Sequence, residues 1–260
     1  MQTVAVYAIL IATLVIVAFA VTEPVAQDPA YHVFADDRRL FHVDNFWNVA
    51  SNLPFLLIGA WGVVFVSRLR ESVCSAELRP AYAVFFAGIL LTAFGSGLYH
   101  LAPGNGTLIL DRLPMTIGFA GLFAIIVGEF VSLRAARALL LSMLAIGVGS
   151  VLYWAVTEAS GAGDLRPYAV VQFLPMLLVP VFLLRSRLAQ DLAPYVWLMI
   201  GCYAVAKVFE HFDAAIFSAG NLLSGHTLKH LFASLTPAVL LFGLIGRRHA
   251  ACNEIPIARD

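Results

Sequence analysis

Residues 80–101 read PAYAVFFAGILLTAFGSGLYHL, and the class of the fold is visible in that stretch alone. No Asp, Glu, Lys or Arg interrupts it, and its single imidazole, His100, stands at the far end. A helix rises about 1.5 Å per residue, so about 20 such residues cross the roughly 30 Å hydrocarbon core of a bilayer. Stretches of the same kind recur on both sides, at approximately 4–21, 46–66, 108–132, 138–156, 167–184, 193–212 and 226–245. Composition agrees: 61% of the 260 residues are hydrophobic and 12% charged, with a mean hydropathy of +0.87, whereas soluble domains hold roughly 45–50% apolar residues. The expectation is an all-α membrane protein built as one membrane domain, with eight spans.

The formal net charge is zero, so no basic surplus invites nucleic acid. Cys74, Cys202 and Cys252 are scattered and odd in number, which suits neither a disulfide framework nor a thiolate metal site. Four regions follow. Residues 1–22 form an extra N-terminal transmembrane helix, or a signal peptide if Ala18-Phe19-Ala20 is a cleavage site; no Lys or Arg precedes the apolar run. Residues 23–45 are a polar loop, 46–246 a seven-helix core and 247–260 a short tail. Cytoplasmic loops gather Lys and Arg. Arg68, Arg70, Arg79, Arg134, Arg137, Arg185, Arg187, Arg247, Arg248 and Arg259 all sort to one side, which puts both termini inside and the 23–45 loop outside, in a membrane of bacterial cytoplasmic type.

Ionisable residues inside membrane segments point by default to function. Here His100, Asp111, His226 and His230 all fall near the outer ends of their segments. His226 and His230, four residues apart, share one helix face, an arrangement that lets two rings hold one metal, bind a neighbouring carbonyl or cap an interfacial turn. A third imidazole changes the balance, because three nitrogens with a free fourth position for water form the pattern of a catalytic zinc. Ser96 stands one turn before His100 on the same face, although serines in small-residue runs such as Gly95-Ser96-Gly97 commonly serve helix packing. Asp111 is expected to face the bundle, with Arg112, about 100° round the helix, reaching the interface. Lys207, Glu210, His211 and Asp213 read as an interfacial pairing group, and Lys229 as a residue reaching for headgroups.

The set Ser96-x-x-x-His100, Asp111 and His226-x-x-x-His230 resembles the signature of the CREST superfamily, which holds alkaline ceramidases, adiponectin-receptor-like (PAQR) proteins and Per1-like proteins. Phe46-Trp47-Asn48-Val49-Ala50-Ser51-Asn52 is similar to the F-W-N-x-x-S-N stretch of the alkaline ceramidases. Tyr31-His32-x-Phe34-Ala35-Asp36 and Asp111-Arg112-Leu113-Pro114-Met115-Thr116 resemble bacterial ceramidase-domain proteins. This resemblance implies a seven-transmembrane helix bundle of the alkaline ceramidase/PAQR type with one extra helix in front. It further implies zinc on His100, His226 and His230, with Asp111 and Ser96 around the bound water. The activity implied is hydrolysis of a ceramide-like membrane lipid at its amide. Alkaline ceramidases also carry an acidic calcium site that includes a carboxylate just before the F-W-N run; Asn45 stands at that position, so a calcium cofactor is doubtful, Asp36, Asp37 and Asp44 notwithstanding. Two other readings remain open, a PAQR-like receptor with a structural zinc and a metal transporter. The short tail disfavours the first, and the apolar cytoplasmic halves of the segments disfavour the second.

Overall fold

In a computed structural model the chain is described over residues 19–70 and 73–253, with residues 13, 15 and 17 ahead of them. The segment 4–21, and the choice between helix and signal peptide, lie largely outside the described residues, as do residues 254–260 of the tail. The regular structure of the described residues is helical, apart from an isolated Leu40–Val43 bridge. A 3-10 turn, Pro29–His32, precedes α1 (Phe46–Ala50), α2 (Leu53–Ser67), α3 (Arg79–Leu101), α4 (Asn105–Phe130), α5 (Leu133–Ala159), α6 (Arg166–Arg185), α7 (Ala193–His211), α8 (Asp213–Gly220) and α9 (Gly225–Asn253).

Among the described residues six helices are long and apolar enough to cross a membrane: Phe46–Ser67, which joins α1 and α2, then α3, α4, α5, α6 and Gly225–Ala251 of α9. This is the architecture of a multi-pass membrane protein. The remaining long helix, α7, carries Lys207, Glu210 and His211 in its last turns. Outward faces carry Leu57, Leu141, Val156, Leu177 and Leu184, all exposed, a surface that suits lipid and not water. α5 begins at Leu133, earlier than the apolar run from 138, because the Ser132 hydroxyl accepts from the Ala135 amide and starts the helix there.

Packing at one end of the bundle is aromatic and aliphatic, around Tyr82, Phe86, Ile126 and Leu244. There Arg247 pairs with Asp191 and with Glu129, whose carboxylate also accepts from Tyr82 at 2.7 Å. His226 begins the same α9 helix that carries Arg247, so the two mark opposite ends of the bundle, about 30 Å apart by helix rise. Glycine brings α3 and α4 together at the His226 end, because a Cβ on Gly95 would overlap the Leu110 carbonyl. That contact lies one residue from Ser96 on α3 and one from Asp111 on α4, so it sets the separation of the two. Gly95→Leu is expected to destabilise the protein by about 1–3 kcal/mol or more, read as a lower Tm and poorer recovery in detergent.

The 23–45 loop does not trail into solvent; it is folded onto the bundle end. Asp36 is buried, holds Arg38 at 2.7 Å, and Arg38 in turn donates to the carbonyls of Asn221 and Leu222. His32 bonds Tyr99 at 3.0 Å and Asn105 at 2.9 Å.

Candidate metal centre

The lone imidazole of residues 80–101 meets the histidine pair of α9. His100, His226 and His230 are all buried, each can offer a ligand atom within 4.8 Å of the others, and all three pairs of ring centroids are 4.9 Å apart. Position follows from the elements. His100 ends α3, and His226 and His230 occupy the first two turns of α9 on one face, so a single contact between two helix ends assembles the triangle.

Protein partners do not satisfy every nitrogen of these rings. His100 Nδ1 is buried with no partner, and His100 Nε2 stands 3.3 Å from His230 Nε2. Nitrogens bound to zinc at about 2.0–2.1 Å in a tetrahedron stand ~3.3–3.4 Å from each other, so this spacing fits two ligands of one ion. The residues therefore fit a metal, which three buried imidazoles could hold.

A second layer fixes the rings, and the F-W-N-x-x-S-N stretch supplies much of it. Ser51 Oγ bonds His230 Nδ1 at 2.8 Å, leaving Nε2 as the ligand atom. Asn45 donates to the His100 carbonyl at 2.8 Å, which a carboxylate at that position could not do. Its φ of 49° is left-handed backbone, which asparagine tolerates better than most residues. Asn48 Oδ1 accepts from Thr227 at 3.0 Å, tying α1 to the start of α9. Asp213 accepts from the amides of His226 at 2.7 Å and Ala35 at 3.2 Å. Phe34 packs on His100 and His226 with ring centroids 4.7 and 4.9 Å away. Ser51→Ala is expected to weaken metal affinity about 10–100-fold by freeing the His230 ring, measured by competition with a chelator.

Of the acidic residues near the N-terminus, Asp36 is engaged by Arg38, and Asp44 pairs with Arg39 at 3.3 Å.

Beside the histidines lies a cavity of about 570 Å³, in the roughly 300–1,000 Å³ range of small-molecule sites. Its wall is mainly apolar, with Phe55, Phe85, Ile89, Met115 and Met176 along its length. Ser96, Asp111 and His230 share that wall, and the Ser96 side chain faces the Asp111 carboxylate. Tyr31 reaches the same space from the loop, where burial raises its hydroxyl above the usual tyrosine range and keeps it a neutral donor.

Three expectations need correction here. Arg112 does not reach the interface: it is buried on the cavity wall, between Trp154 and Tyr168, because those aromatic faces and Gln27 receive the guanidinium inside the bundle. Lys229 turns inward, contacting Glu210 at 3.1 Å and His226 Nε2 at 3.2 Å. Glu210 and Lys207 also line the cavity, paired with each other, so the group at the end of α7 is only partly interfacial. Asp213 works on the histidine helix itself. A scan of the sequence against protein-family models finds no match, and neither does a comparison with curated proteins.

Proposed function

We propose that the protein is a zinc-dependent intramembrane amide hydrolase that cleaves ceramide or a related N-acyl lipid into fatty acid and sphingoid base or amine. One observation carries this reading: a buried triangle of imidazoles borders, through His230, an apolar cavity whose wall also holds the Asp111 carboxylate and the Ser96 hydroxyl. In the same reading the core is a seven-helix bundle of the alkaline ceramidase type, with α7 as the seventh span and an extra helix in front. Both termini then lie inside a bacterial cytoplasmic membrane, with the histidines toward the outer side.

His100, His226 and His230 would hold the ion. When bound, zinc supplies a Lewis acid that polarises the amide carbonyl and makes a water acidic near neutral pH. Asp111 orients that water, takes its proton as the oxygen bonds the acyl carbon, and returns the proton to the nitrogen as the C–N bond breaks. The bonding pair leaves with the nitrogen, so one water is consumed and one acid and one amine are formed. Ser96 donates to the oxygen on which negative charge develops. The apolar wall holds the acyl chain and excludes bulk water, which strengthens each of these polar contacts.

Purified protein is expected to contain one zinc per chain and to release fatty acid from at least one member of a panel of ceramides and other N-acyl lipids. Zinc without release from any of them would overturn the hydrolase reading in favour of a PAQR-like lipid receptor.

A further inference from the structure

Arg112 is the one cation on the cavity wall for which the described residues supply no carboxylate. Lys207 and Lys229 share Glu210. Arg112 is only 6% exposed, yet among the described residues no acid lies within ion-pair distance of it. Its Nη2 donates to Gln27 at 2.6 Å, while Nη1 is buried with no partner. Aromatic rings surround the group, with Trp154 at 4.2 Å, Tyr168 at 4.8 Å and Tyr31 at 5.9 Å. Rings offset part of the cost of burying the charge, but they leave the open N–H edge unused. A guanidinium stays charged in proteins, and its planar fork matches a carboxylate or a phosphate. Arg112 follows Asp111 directly in the chain and lines the same cavity as Ser96 and His230.

We infer that the cavity selects an acyl lipid bearing an anionic group, a carboxylate or a phosphate, on the part of the molecule beyond the amide, and that Arg112 receives that group. Cleavage of such a lipid rests on the hydrolase reading above; its binding does not. Arg112 acts as a specificity residue: the anion seats on the fork, and the amide is thereby drawn to the wall shared by Asp111 and Ser96. The net charge of this wall supports the same choice, with Arg112, Lys207 and Lys229 set against Asp111 and Glu210.

The test uses zinc-loaded full-length protein in detergent and three lipids with the same oleoyl chain: N-oleoylglycine for a carboxylate, oleoyl ceramide 1-phosphate for a phosphate, and oleoyl ceramide as the neutral reference. Kd and fatty-acid release are both measured. Wild type is expected to favour one of the anionic lipids over ceramide by about 10- to 100-fold in Kd, in kcat/KM, or in both. The better of the two identifies the anion. In Arg112→Gln the preference falls to near unity, and in Arg112→Lys it recovers only in part, because the ammonium keeps the charge but not the fork. Anion-selective binding that depends on Arg112, without release from any lipid, supports this inference and sinks the hydrolase reading. Ceramide bound and cleaved as well as both anionic lipids overturns the inference and leaves the hydrolase reading standing. If Arg112→Gln does not fold, Arg112→Lys carries the assignment to Arg112; a preference untouched by substitution of Arg112, or a ratio near unity in wild type, overturns the inference.

Discussion

Replacing His226 with alanine is expected to remove the proposed zinc and the proposed hydrolytic activity together. The triangle of rings is small, and each corner is occupied by one side chain, so a lost imidazole leaves two nitrogens where catalytic zinc sites use three protein ligands. Removal of an outer partner of a ligand costs about 10–100-fold in metal affinity, and removal of the ligand itself is expected to cost more than that. Metal content by mass spectrometry should fall below one-tenth of wild type, and fatty-acid release should fall to background. Phe34 also packs on this ring, so the variant's Tm and elution profile must be checked beside its metal. A folded His226→Ala protein that keeps stoichiometric metal would show that the three histidines are not the site.

Asp111→Asn separates binding from chemistry. The amide has the shape of the carboxylate and can still meet Ser96, so the cavity wall and the metal should be retained. An amide cannot take a proton from water, and loss of general acid–base catalysis is typically worth about 10²–10⁴-fold in rate. The expected result is full zinc content with kcat lowered by that factor and KM little changed. Activity equal to wild type would remove Asp111 from the proton-transfer role.

The apolar stretches betray the helices because a bilayer imposes a length on them, and each expected span from 46 onward coincides with a helix. The histidine triangle was similarly legible, since a spacing of four puts His226 and His230 on one face and the parity of the spans puts His100 at the same end. Side-chain direction was not. A helix apolar all round presents no polar stripe from which its inner face can be read, so Arg112 and Lys229 could be assigned outward by spacing and still turn inward. The partners that draw them in, Trp154, Tyr168, Gln27 and Glu210, are distant in sequence and adjacent only after folding. Ser51 was visible as part of a motif and Asn45 as a departure just before it, but their tasks, holding an imidazole and a carbonyl, depend on α1 lying across the ends of α3 and α9.

Phe34 covers two of the three imidazoles, and Asp213 fastens its neighbour Ala35 and His226 to the same carboxylate. An ion seated among the rings is thus capped on one side by a residue whose neighbour is bolted to one of its own ligands. The cavity beside His230 is left as the open side, so a lipid that fills it should slow the surrender of the ion to chelators.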